Sequence, residues 1–372
     1  MNRKGKKIKH YKGSFDTGKF RRRRIFRWIL LLVVLFGASY FLAPPILDMG
    51  AHVWYSVLKN ESTSTDTPEV SATPDPEATP SPTPEPTPEP EPQGDWSVVS
   101  TESVANGEIA QQTAQQLAAQ GVKYAVIPLK TGDGVVHYAS TIPLAAGSLS
   151  ATPFDAAAAA SVFQQAGIIP VAEIWAYQDP IAPYTDRTIA VEYGTSGQGM
   201  LWLDNSVAAG GKPWLNPYSA GAQQYIKDLA LEAVSLGYKQ VIFRGLQFPQ
   251  VKSLAGAAFG DTAGKSFDAV LNETIQQLQS ALSEKGAKCW FQYSAAAVTG
   301  EDLIPAGVPV GSLSMERLLI ELPSEMPDPS LVFSSVASAS GEKFKGLRFA
   351  TAPDETLRQL AEQNGFSQLV IG

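Results

Sequence analysis

From residue 96 onward, apolar positions fall into two alternating patterns. Short runs rich in β-formers stand at "WSVVS" (96–100), "KYAVIPL" (123–129), "IIPVAEIW" (168–175), "KQVIFR" (239–244), "AKCWFQY" (287–293), "MERLLIEL" (315–322), "KGLRFAT" (345–351) and "SQLVIG" (367–372). They are apolar on both faces, as strands of a doubly covered parallel sheet must be. Segments with helical periodicity lie between them at 106–121, 152–167, 219–237, 266–286 and 352–365. Weaker helical stretches fall near 300–306 and 328–340, and "GVVHYAS" (134–140) reads as a hairpin arm. Gly121, Gly167, Gly237, Gly286 and Gly365 close five of the helices, where a left-handed cap favours glycine. Ser219 and Asp354 stand at N-cap positions, where their oxygens can accept a free backbone N–H. Eight strands, seven of them followed by a helical segment, predict an α/β fold of the (β/α)8 TIM type over residues 96–372. A doubly wound open sheet is the alternative.

The chain before the barrel has a different character. Residues 28–47, "WILLLVVLFGASYFLAPPIL", carry no charge. At about 1.5 Å per residue a helix of that length crosses a bilayer core of about 30 Å. Residues 1–27 hold twelve of the 29 Lys and Arg and one of the 36 acids. The positive-inside rule makes them a cytoplasmic tail, with one transmembrane helix at 28–47 and the remainder outside the cell membrane. A cleaved signal peptide fits less well, because the basic region is long and no small-residue cleavage site follows. Residues 48–95 form a linker; its 61–95 stretch has ten prolines and no basic residue. Proline and like charges keep such a segment extended and without a packed core, with a reach of about 100 Å at about 3.1 Å per residue.

The net charge of −7 conceals this division, for residues 28–372 carry 17 basic against 35 acidic side chains. A body so acidic is repelled by phosphate, which excludes nucleic acid as its partner. Cys289 is the single cysteine, so no intramolecular disulfide forms, and its flanks mark it as a core thiol. His10, His52 and His137 are scattered and give no metal-ligand spacing. "GDTAGKS" (260–266) has three residues, not four, between its first glycine and the Gly-Lys pair, and no strand precedes it. It is a loop entering a helix rather than a phosphate cradle. Neither a metal nor a cofactor is expected.

Function in a barrel of this kind gathers where strands end and loops begin, at the C-terminal face. Those ends supply Lys130 and Asp133, then Glu173, Trp175, Tyr177 and Asp179, then Arg244 and Gln247, then Gln292, Glu321 and Arg348. The irregular stretch after 175 adds Trp202, Asp204, Trp214, Asn216 and Tyr218. Aromatic faces beside acids and amides suit sugars, which offer apolar C–H faces and many hydroxyls. Trp175 and Trp214 would equally serve as covers for the barrel mouth.

Four segments in order carry a resemblance: "VKYAVIPLKTGDGVVHYASTIPLA" (122–145), "GIIPVAEIWAYQDPIAP" (167–183), "MLWLDN" with "PWLNPYSA" (200–220), and "LGYKQVIFRGLQFP" (236–249). Together they resemble a bacterial family of glycoside hydrolases with a TIM-barrel fold, catalogued largely as a domain of unknown function. Lys130, Gly134, Tyr138, Ser140, Asp179, Pro180, Trp214, Pro217, Tyr218, Phe243, Phe248 and Pro249 match residues of that family. The resemblance implies a sugar ligand and aspartates where this chain has Pro128 and Arg244, with another near Gln292. It implies an arginine where this chain has Glu173. Glycosidases need two carboxyl groups, one to protonate the leaving oxygen and one to attack or activate water. Arginine does neither, having no lone pair and no proton to give.

Three readings follow. The first is a membrane-held barrel, degenerate at the inherited acids, that binds a cell-wall or surface polysaccharide through Lys130, Trp175, Tyr177, Asp179, Trp214, Tyr218, Arg244, Gln247 and Gln292. The second is an active hydrolase with relocated carboxylates, Glu173 and Glu321. The third is a non-catalytic envelope scaffold for a protein partner. Glu173 and Arg244 are also expected to pair across adjacent strands.

Overall fold

Each of the eight apolar runs forms a strand in the computed structural model, which describes residues 94–249, 254–302 and 308–372. The strands are β1 (Trp96–Val98), β2 (Tyr124–Lys130), β3 (Ile169–Trp175), β4 (Gln240–Arg244), β5 (Lys288–Ser294), β6 (Arg317–Glu321), β7 (Phe344–Phe349) and β8 (Gln368–Ile371). Seven helices alternate with them: α1 (Gly107–Ala119), α2 (Ala156–Gln165), α3 (Ala220–Ser235), α4 (Phe267–Ser283), α5 (Ala295–Thr299), α6 (Pro329–Ser340) and α7 (Glu355–Gln363). Every strand lies parallel to the next, and β8 returns to β1 with Trp96 opposite Val370. The sheet is therefore a closed (β/α)8 barrel, and the open-sheet alternative falls. The tail expected at 1–27, the transmembrane helix expected at 28–47 and nearly all of the linker lie outside the described residues. Among the described residues no helix is long and apolar enough to cross a membrane.

Local signals largely set the element ends. All five helix-closing glycines adopt positive φ. Ser219 Oγ accepts from Ala222 N and Asp354 from Leu357 N, capping α3 and α7. Two helices differ from the pattern. Residues Leu149–Phe154 extend beside Val136–Tyr138, so α2 begins at Ala156 with Asp155 as its cap. A short α5 is closed by Gly300 at φ 83°, and residues 303–306 of the weak helix expected near 300–306 lie outside the described residues. The hairpin arm is present, with Val136 opposite Lys130.

The barrel interior is filled by Trp96, Tyr124, Val126, Val171, Ile242, Trp290, Leu319 and Val370, a core distinct from the larger one between strands and helices. Trp96 stacks on Tyr124 at 4.4 Å and meets Trp290 edge-on at 5.4 Å. Both indole N–H groups are buried and need acceptors. Gln368 Oε1 and Gln240 Oε1 supply them, each at 2.7 Å. This apolar floor fixes which side chains point inward one layer higher.

Candidate functional site

Side chains alternate along a strand, so the residue two positions beyond each interior core residue also faces inward. That rule brings Pro128, Glu173, Arg244, Gln292 and Glu321 into one layer at the C-terminal end of the barrel, and Arg348, two positions beyond Gly346, which lies against Leu319 of the interior core, joins them. Five of them form a closed ring of contacts. Arg348 Nη1 donates to Glu173 Oε2 and, at 3.0 Å, to Gln292 Oε1. Gln292 Nε2 donates to Glu321 Oε2 at 2.8 Å, and Arg244 Nη2 reaches the same oxygen at 2.8 Å. Arg244 Nη1 closes the ring on Glu173 Oε1 at 3.6 Å.

The pair expected between Glu173 and Arg244 is thus present, but Arg348 is the nearer partner. Its signal lay in the parity of β7, where Gly346 and Arg348 share the interior face. Two guanidinium groups balance two carboxylates, so the ring carries no net charge. That balance is needed, because Glu173 and Arg348 are buried at 4% and 7% exposure and an unpaired charge there would cost several kcal/mol, roughly. Glu321 sits higher, its side chain 44% exposed.

Trp175 supports the ring from the end of β3. The Arg244 guanidinium lies 4.5 Å from its ring centre. Gly132 and Gly245 press against the same indole; a Cβ on either would stand 3.0 or 3.1 Å from ring carbons. Gly245 has φ +60°, so glycine also suits the turn that follows Arg244. Gln247 is half-buried in that turn.

The remaining sequence-derived residues are spent on internal contacts. A register shift between Pro128 and Lys130 turns Lys130 beside Ile174, toward the helices. There Lys130 Nζ donates to the Trp175 carbonyl at 2.7 Å and lies 3.1 Å from Asp179, both side chains being buried. Asp179 Oδ1 accepts from Ile181 N and Ala182 N, holding the following turn. Tyr177 is fully buried, with its hydroxyl against Thr274 Oγ1 at 2.9 Å, and burial raises its pKa. Tyr218 donates to the Lys265 carbonyl within a cluster of Phe248, Phe259 and Phe267. Trp214 donates to Asp204 at 3.0 Å. Burial pushes the Cys289 thiol up to about 12, which makes it unreactive.

The irregular stretch after β3 is more ordered than its composition implied. Glu192–Tyr193 pairs antiparallel with Ala257–Ala258 from the loop after β4. Bridges Glu192↔Leu201 and Leu203↔Pro213 widen the patch. Trp202 and Trp214 pack beneath it with Val191. Trp202 Nε1 donates to the Ala255 carbonyl and Asn216 Nδ2 to that of Phe259. The two loops are thereby stitched into one small sheet on the C-terminal side of the barrel. A cleft of about 550 Å³ opens beside Glu321, walled by Ala295, Leu322, Pro323, Leu331 and Val332.

Residues 98–299 match the family described as "Putative glycosyl hydrolase domain". The chain belongs to this family. The matched segment runs from β1 through α5 and so includes Glu173, Arg244 and Gln292. Among solved structures, the PgaB glycoside hydrolase domain from Bordetella bronchiseptica aligns over 75% of this chain and 92% of its own, at 12% identity and TM-score 0.51. The chitobiase of Flavobacterium johnsoniae aligns over 75% of this chain and 44% of its own, at 10% identity and TM-score 0.50. A hypothetical protein from Ruminiclostridium thermocellum is 22% identical over 53% of this chain and 96% of its own, with TM-score 0.45. Curated proteins give no match. At such identities the Bordetella and Flavobacterium structures show a shared barrel fold and no more.

Proposed function

We propose that this family member is held in the cell membrane by residues 28–47, faces outward on its linker, and binds a cell-wall or surface glycan without cleaving it. The observation that carries this reading is the closed ring. Glycosidic hydrolysis needs one carboxyl to deliver a proton to the leaving oxygen and a second with a lone pair directed at carbon or water. Glu173 has both oxygens turned to arginines and is almost wholly buried. Glu321 commits one oxygen to Arg244 and Gln292 together. Pro128, Glu173 and Arg244, where the resemblance implies other residues, and Gln292, near which it implies an aspartate, all face this one layer. Their joint replacement supports a single event, in which acids for chemistry gave way to a neutral, self-satisfied polar surface.

Such a surface, with the adjoining cleft, retains the concave shape and the amide and guanidinium donors that bind hydroxyls. The acidic body argues against an anionic polymer as ligand. The test uses intact bacteria and membranes carrying the full-length chain. External protease should remove the barrel from intact cells, and solubilised protein should be retained on insoluble cell-wall polysaccharide. A barrel protected from external protease would contradict the topology. Crosslinking in cells that captures a protein and no wall material would favour a scaffold.

A further inference from the structure

Tyr193 lies on the small sheet that joins the loops after β3 and β4, away from the charge ring. Its ring rests on Gly256: a Cβ there would stand 2.7 Å from Tyr193 Cε2 and 3.2 Å from Cδ2. One face of the ring is thus seated on backbone, yet the residue remains 52% exposed. Tyr193 N donates to the Met200 carbonyl at 2.7 Å, in register with the Glu192↔Leu201 bridge. Met200, 55% exposed, therefore stands beside it. Next to Met200, Arg187 Nη1 donates to the Gly199 carbonyl at 2.6 Å. The other donors of this exposed guanidinium, and the Tyr193 hydroxyl, have no partner among the described residues.

We infer that Tyr193 is a stacking subsite for a pyranose ring of an uncharged glycan. This rests on the glycan-binding reading above and adds to it a contact outside the barrel axis. A flat ring with one supported face and one open face matches the apolar C–H face of a sugar. A protein partner fits less well, because a specific interface needs about 800 Å² from each side. Tyr193 and Met200 supply a small part of that. The sheet beneath is held by Trp202, Trp214 and Asn216 independently of Tyr193, so the platform is presented ready-made.

The test measures binding of chitohexaose and cellohexaose, both uncharged, to the full-length chain in detergent micelles. Tyr193→Ala should weaken the best-bound probe about tenfold, a loss typical of one anchoring aromatic. Tyr193→Leu keeps an apolar cover on Gly256 without a flat ring and should weaken it equally. Tyr193→Phe should bind within about twofold of wild type, since the face and not the hydroxyl makes the main contact. Wild-type binding unchanged in both the Ala and Leu variants would overturn the subsite alone. Loss in Ala with full binding in Leu would assign Tyr193 to sheet packing and also overturn it. If wild type binds none of the probes, the glycan-binding reading fails and takes the subsite with it.

Discussion

Glu173 shows why single residues in the barrel mouth are not interchangeable. It is buried between two arginines, and the cost of its desolvation is met by charge-assisted hydrogen bonds rather than by water. Removing one partner leaves an uncompensated charge, which costs about 3–5 kcal/mol. Arg348→Met is expected to lower stability by that amount in urea unfolding. Glu173→Leu combined with Arg348→Met should recover most of the loss, because an apolar pair removes both charges at once. The more exposed Glu321 should behave differently, with Glu321→Gln costing at most about 1 kcal/mol, the range of an exposed pair. Equal losses at both positions would show that the ring is not graded by depth as its burial implies.

Elements are held together by a few directed contacts, and one of these is sensitive to acid. Glu232 on α3 accepts from Tyr138 Oη, Ser140 Oγ, Thr141 N and Thr141 Oγ1, all within 2.6–2.8 Å. It thereby fastens the segment after Val136–Tyr138 to that helix. Burial raises its carboxyl's pKa, but the hydrogen bonds from Ser140, Thr141 and Tyr138 outweigh this and hold it below the ordinary 4.5. A group with a depressed folded pKa stabilises the fold above its unfolded pKa and loses that contribution as pH falls through the folded one. The melting temperature should therefore drop on acidification below about 4.5, and Glu232→Gln should flatten that part of the profile. A variant with the wild-type pH profile would show that the latch does not report on folding.

At this scale the sequence was most readable. Eight apolar runs and five capping glycines act locally, and each became the element its pattern implied. The sheet joining Glu192–Tyr193 to Ala257–Ala258 was not readable, because strands of two residues leave no periodicity and their partners lie some 65 positions apart. The ring was half readable. Glu173, Arg244, Gln292 and Glu321 stood out as polar residues at strand ends, but only barrel closure brings Arg348 from β7 to Glu173 on β3. Lys130 is the reverse case, since its register shift turns it from the interior toward the helices.

The whole molecule joins three materials: a basic, apolar N-terminal part, an acidic proline-rich spacer and an acidic barrel of glycoside hydrolase type. On the proposed reading, the spacer's reach of about 100 Å would give the barrel access to the wall while residues 28–47 hold it on the cell. A tethered enzyme would release soluble fragments of its polymer, whereas a tethered binder keeps hold of an intact one. The measurement that separates them is the chain length of a retained polysaccharide after prolonged incubation with the full-length protein, read by mass spectrometry and reducing-end assay. The proposed reading expects recovery of the polymer at its original length, with no new reducing ends above a protein-free control. Shortening that disappears in Glu321→Gln or Glu173→Gln would contradict it and return those carboxylates to catalysis.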